Sequence, residues 1–332
     1  MTTITSFPAL LQSFFTDRLM NQRQVSTHTI ASYRDTFRLL LAFAQKKLNK
    51  SPSQLALDDL NAPFIGAFLD HIQSDRQNRP RTRNLRLTAI RSFFKYVAFQ
   101  EPGRAAHIQR VLAIPAKRQD RPLIDFLSHP EIQALLAAPD KTTWTGRRDH
   151  AFLMVAIQTG LRLSELISLR RSDIILTSGA HVHCFGKGRK ERCTPLTKQA
   201  VTVMKIWLQE RAGSDSDVVF PSARGTQISP DGVQYLLAKH VARAREACPS
   251  LKNKRVSPHV LRHTAAMELL QAGVDHSVIA LWLGHESPET TSIYLQANLA
   301  LKEKILEKTR PLDVKAGRYR PNDKLLRFLK SL

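Results

Sequence analysis

A tyrosine stands nine residues beyond a histidine in LGHESPETTSIYL, the stretch from Leu283 to Leu295. Alone, Tyr294 reads as a core or interface aromatic and His285 as one more polar side chain. Three stretches upstream change that reading. TGLRLSEL places Arg162 behind Gly160 and Glu165 three positions later, a spacing at which the two side chains meet on one helix face. Leu161, Leu163, Leu166 and Ile167 surround the pair, so Arg162 is expected to be partly buried with Glu165 as its partner. FGKGRKER sets Lys187 between two glycines at a turn the backbone can fold tightly, with Lys190 as a rival in the same turn. SPHVLRHT puts His259 and Arg262 on one side of a helix that begins near Ser257-Pro258.

Two arginines, two histidines, a lysine and a tyrosine are the side chains that metal-free phosphoryl transfer to an enzyme hydroxyl requires. In-line attack on a phosphodiester builds charge on the non-bridging oxygens, where rigid bidentate donors favour Arg over Lys. A phenol with a pKa near 10 is ionised in only about one molecule per thousand at pH 7, so a base or a strong positive field must assist it. The departing 5′-oxygen needs a proton, which Lys187 on a flexible tip can deliver. A metal site is the competing reading, because His263 follows His259 at i+4 as in H-E-x-x-H zinc sites. Position 260 is Val, however, and no third ligand lies nearby in sequence; His181 and His183 would have to come from elsewhere in the fold.

Composition narrows the partner. The 332 residues carry 50 Lys+Arg against 28 Asp+Glu, a net charge of +22 that calls for a polyanion, either nucleic acid or an acidic membrane surface. Three scattered cysteines, Cys184, Cys193 and Cys248, are too few for a disulfide framework. The amino terminus lacks signal-peptide features and no apolar run approaches the ~18–20 residues that span a bilayer, so a cytoplasmic protein without membrane partners is expected. Nucleic acid then leads.

Periodicity supplies the elements that must position these residues. Phe7, Leu10, Leu11, Phe14 and Phe15 mark one helix face; Ile30 to Leu48 continue the period behind a cap at Ser26 or Thr27. A third helix starts near Asn61 and a fourth follows RPRTRNLR, giving a helical bundle over residues 1–115 with 16 Lys+Arg and 7 Asp+Glu. Arg79, Arg81, Arg83 and Arg86, with Arg91 one further turn on, crowd the start of the fourth helix. Cations there oppose the helix dipole unless phosphates sit among them, so these five are expected to contact DNA. The stretch from Ile114 to Pro130 holds three prolines and several basic side chains with little periodicity, so residues 116–127 read as a linker. A mixed domain follows over 128–310, with Ser128 capping a helix and short strands at Ile174–Leu176, His181–Phe185 and Arg192–Leu196. Residues 311–332 form a basic tail. The fold class is therefore mainly α with a small antiparallel sheet.

The ordered series Arg162 in TGLRLSEL, Lys187 in GKGRKER, His259 and Arg262 in HVLRHT, His285 in LGH and then Tyr294 resembles the tyrosine recombinases, the phage-integrase and Xer-like family. The resemblance runs from near Ser6 to about Lys308, with the first domain similar to the family's core-binding domain. It implies site-specific recombination of double-stranded DNA through a 3′-phosphotyrosine at Tyr294, without ATP, metal or other cofactor. By that implication Arg162 and Arg262 clamp the scissile phosphate and His285 donates a further hydrogen bond. His259 assists proton movement at the tyrosine, Lys187 is the general acid, and Glu165 buttresses Arg162. It further implies a tetramer on DNA, of this chain alone or with a related recombinase, in which a helix holding Leu299, Leu301, Ile305 and Leu306 docks into a neighbour. A binding protein with a vestigial catalytic set, and a strand-relaxing topoisomerase, are the alternatives.

Overall fold

The computed structural model describes residues 6–118, 124–186, 191–211, 216–284 and Tyr294. The chain divides into two units, Met1–Arg121 and Pro122–Leu332.

The first unit is built on five α-helices: α1 (Phe7–Ser13), α2 (Thr27–Leu48), α3 (Ala62–Gln73), α4 (Pro80–Gln100) and α5 (Ala105–Leu112). Polar caps start three of them, with Ser6, Ser26 and Asn61 accepting from the amides of Ala9, Thr29 and Phe64. The expected 3.6-residue face fails after α1. From Phe14 to Gln22 the chain winds as a π-helix, whose wider turn lets Phe14 and Leu19, five apart, both reach 0% exposure. Phe14 meets Phe37 and Phe93 edge to face, and Phe93 meets Phe94. The start of the expected linker is tied down rather than loose: Arg83 donates to Pro115 O, and Asn84 pairs with Lys117 through its amide and its carbonyl.

In the second unit, α6 (His129–Ala137) opens on a Ser128/Glu131 capping box. Next come α7 (Trp144–Thr159) and α8 (Leu163–Ser168), then β1 (Ile174–Ile175), β2 (His181–Phe185) and β3 (Glu191–Pro195). The strands form an antiparallel sheet in the order β1-β2-β3, with Val182 opposite Thr194 and Phe185 opposite Glu191. Four helices follow: α9 (Lys198–Glu210), α10 (Pro230–Ala247), α11 (Pro258–Gln271) and α12 (His276–Leu283). The central helix α7 is buried nearly all round and anchors a core that includes Phe152, Trp207 and Phe220. A smaller cluster joins Ala266, Met267, Leu270, Ile279 and Leu283 to Tyr294. The far end of the expected linker belongs to this cluster, since Ile124 and Phe126 pack on it and Leu127 N donates to Thr264 Oγ1. No helix among the described residues is long and apolar enough to cross a membrane.

Candidate active site

Two helices of the second unit end in left-handed glycines, Gly160 (φ +63°) after α7 and Gly284 (φ +64°) after α12. Neither position has room for a side chain. A Cβ at Gly160 would lie 2.7 Å from Leu283 Cδ2, and one at Gly284 would lie 2.7 Å from Arg192 Nη1. The carbonyls at these two ends accept hydrogen bonds from guanidiniums. Arg262, on the buried side of α11, donates through Nη1 to Gly160 O and through Nη2 to Leu283 O, each at 2.7 Å. Arg162, the N-cap of α8, donates through Nη2 to Gly284 O at 2.6 Å. Helix C-termini carry the negative end of the helix dipole, so cations fit there. Both arginines thus hang from consecutive peptide units at the end of α12.

Glu165 braces the pair from behind. Its carboxylate is 4% exposed and accepts four hydrogen bonds: the Arg162 backbone amide (2.7 Å), Arg162 Nη1 (2.9 Å), and Arg192 Nη1 and Nη2 at 3.1 and 2.6 Å. Burial alone would push this carboxyl up, but the arginine donors and the amide outweigh it and hold it below the usual carboxylate range. Burial, reinforced by the positive charge of Arg162, brings Arg262 down to about 10, which still leaves it charged at neutral pH. Arg162 and Arg192 bond the carboxylate and Arg262 lies in its field, so three guanidiniums face one carboxylate and the cluster keeps two positive charges in excess.

Tyr294 is 2% exposed, and its hydroxyl lies 3.0 Å from His263 Nδ1. Burial raises its pKa, while the Arg262 charge works in the opposite direction, which sets the phenol within the field of the cluster. His263 is pulled down to about 4 by burial and by the neighbouring His259 and Arg262, so it is neutral at pH 7 and its Nδ1 can accept a hydrogen bond from the phenol in the Nε2–H tautomer. His259 is exposed and lines a cleft of about 920 Å³ with Asp125, Arg255, Ser257 and His263. Among the described residues no group of three or more His, Cys, Asp and Glu is arranged for a metal ion. His181 bonds Gly179 O and His183 faces Glu191. Lys187, Lys190 and His285 lie outside the described residues, as do Leu299, Leu301, Ile305, Leu306 and the tail 311–332.

The arginines of α4 are placed differently from the expectation. Arg83 is buried on Pro115 O, Arg86 donates to Ser32 O and Thr36 Oγ1, and Arg91 donates to Ile114 O. Arg79 and Arg81 are exposed. Arg192 and the tyrosine-facing role of His263 escaped the sequence reading. Arg192 was hidden in a run of basic residues whose partner lies 27 positions away. His263 was visible only as an i+4 companion of His259.

The profile of the Phage integrase family matches residues 125–300, and that of the "Phage integrase, N-terminal SAM-like domain" matches residues 13–101. A Sinorhizobium fredii protein described as a candidate integrase/recombinase, y4rC, is 58% identical over 332 residues, all of both chains. The tyrosine recombinase XerD of Pseudomonas putida is 34% identical over 291 residues, covering 84% of this chain and 90% of that one. Among solved structures, the XerH site-specific recombinase bound to palindromic difH substrate in a post-cleavage complex superposes with a TM-score of 0.69. It is 21% identical and covers 86% of this chain and 81% of that chain, a likeness of fold.

Proposed function

The chain belongs to the phage integrase family, and on that premise we propose that its reaction is carried out by Arg162, Lys187, His259, Arg262, His285 and Tyr294, supported by Glu165. It is a tyrosine-type site-specific recombinase that cuts and rejoins DNA strands. The observation that carries the residue assignment is the anchoring of Arg162 and Arg262 on consecutive carbonyls, Gly284 and Leu283, within reach of the Tyr294 charge. A buried excess of positive charge is costly without an anion. A scissile phosphodiester supplies one negative charge in the ground state and nearly two as the phenolate attacks, so the cluster complements the transition state better than the substrate.

In this mechanism the phenol oxygen of Tyr294 bonds to phosphorus as the 5′-oxygen leaves. The phenol proton passes to a base, Lys187 protonates the 5′-oxygen, and a 5′-hydroxyl later reverses both transfers. The bond energy stays in the phosphotyrosine, so neither ATP nor metal is consumed. Further parts of the reading are a tetramer on DNA, of this chain alone or of this chain with a related recombinase, and action in the cytoplasm. DNA contact by Arg79 and Arg81 is a further part; their exposure supports it. Domain assignment follows the same reading: residues 1–115 clamp DNA and 128–310 hold the chemistry.

The test is a nicked suicide duplex incubated with the protein in EDTA. The expected result is a covalent protein–DNA adduct that Tyr294→Phe abolishes. A protein that binds the duplex without ever forming adduct would be the binding-only alternative, and an adduct that persists in the Phe variant would overturn the nucleophile.

A further inference from the structure

We propose that Arg192 is a positioning residue for strand cleavage: it fixes Glu165 and the Gly284 turn, and through them aims the Arg162 guanidinium at the scissile phosphate. The inference rests on the reading of Arg162 as a phosphate clamp.

Arg192 lies on β3, and its side chain is 11% exposed. Both terminal nitrogens are committed to Glu165, at 3.1 and 2.6 Å, in the fork-on-carboxylate geometry that is the most directional ion pair available to a protein. Its Nε is buried and has no hydrogen-bond partner among the described residues. The guanidinium therefore faces the Glu165 carboxylate, with two of its five N–H donors engaged there and its side chain nearly buried.

A carboxylate has about four lone-pair positions. Arg192 fills two of Glu165's and Arg162 fills the other two, one through its backbone amide and one through Nη1. One rotamer of Glu165 satisfies all four at once. Without Arg192 the carboxylate would keep only the Arg162 contacts, and the Arg162 head could slide along it to a bidentate pairing of its own. That pairing would turn the guanidinium away from the phosphate. Arg192 also backs the second support. Its Nη1 sits where a Gly284 Cβ would be, 2.7 Å away, so it packs against the turn whose carbonyl holds Arg162 Nη2. Every described anchor of the Arg162 side chain is thus itself braced by Arg192.

The experiment compares Arg192→Gln, Arg192→Lys and Arg162→Ala in the full chain. Each is measured as the rate constant for adduct formation on saturating suicide duplex. The scissile linkage is either an ordinary phosphodiester or a methylphosphonate, whose methyl group removes the charge that Arg162 neutralises. Arg192→Gln is expected to slow the phosphodiester reaction by about 10- to 100-fold, the scale of a misplaced catalytic group. DNA affinity should change by less than about threefold, because the Arg192 side chain is nearly buried against Glu165. On the methylphosphonate the loss should shrink to within about threefold, in parallel with Arg162→Ala. Arg192→Lys keeps the charge but not the fork and should fall between. If the glutamine variant does not fold, the lysine variant decides by the same charge-selective loss. A loss of equal size on both linkages, or a wild-type rate, overturns the proposal. If Arg162→Ala itself loses equally on both linkages, the clamp reading has failed instead.

Discussion

Arginines in both units of this protein are held by main-chain carbonyls, yet the two groups do different work. In the first unit Arg83, Arg86 and Arg91 reach to Pro115, Ser32 and Ile114, carbonyls on two segments far from α4 in sequence. Each guanidinium ties a distant piece of chain to α4, and among the described residues none is braced by a carboxylate. In the second unit Arg162 and Arg262 reach to Gly284, Leu283 and Gly160, carbonyls at two helix ends, and Glu165 braces the first of them. The first arrangement disperses positive charge into staples. The second concentrates it where an anion is wanted. Density of arginine in the sequence points to the first group; convergence in space belongs to the second.

The sharpest way to break this contrast is to remove one arginine from each group. Arg262→Ala should lower adduct formation on the suicide duplex by about 100- to 1,000-fold, as loss of a transition-state donor does. Arg86→Ala should leave that rate within about twofold and lower the melting temperature instead, because a half-buried guanidinium that satisfies Ser32 O and Thr36 Oγ1 is lost. Equal effects of the two on cleavage would erase the distinction.

Next in size is Glu165→Gln, which keeps the shape but leaves Arg162 and Arg192 without their shared anion. Cleavage at saturating DNA should fall by about 10- to 100-fold, from disorder in the clamp rather than from loss of a reacting group. Gly160→Ala tests the helix end that positions Arg262. With φ at +63° and Leu283 Cδ2 2.7 Å from the new methyl, it should cost about 1–2 kcal/mol of stability, read by urea denaturation.

Smaller effects are expected from the exposed pair on the other side of the comparison. If Arg79 and Arg81 meet phosphates, each Ala substitution should flatten the slope of log K against log salt by about 0.9, with no change in melting temperature. The smallest effect is acid sensitivity from His263. Its folded pKa, about 4, lies below its ordinary value near 6.5, so the unfolded chain binds more protons between these values. Its contribution to stability is complete above about pH 6.5 and is lost as pH falls toward 4. The melting temperature of the wild type should therefore drop over that interval more than that of His263→Gln; equal slopes would remove His263 as the source.

What the sequence made legible follows from distance along the chain. The caps at Ser26 or Thr27 and at Ser128 are legible because a cap bonds its own next turn. Arg162 and Glu165 are read as a pair because three residues separate them. The partners of Arg83, Arg86 and Arg91 lie 32, 54 and 23 residues away, so local spacing shows only an excess of cations. His263 invited a zinc reading from its spacing to His259, while its real partner, Tyr294, is 31 residues on. The π-turn at Phe14 was unreadable for another reason. Phe14 and Phe15 fit the 3.6-residue face equally well, and only the aromatic packing of Phe37 and Phe93 decides that Leu19 must share the buried side with Phe14.

Since Leu283 and Gly284 serve through their carbonyl oxygens, the chemistry depends there on the course of the backbone. Outward-facing Val278 and Leu281, 47% and 75% exposed, are free to drift over generations so long as the last turn of α12 keeps its pitch. Natural variants should therefore accept almost any helix-forming side chain at those two sites and reject a single inserted or deleted residue between Asp275 and Gly284. The lineage would record the constraint in spacing more than in residue identity.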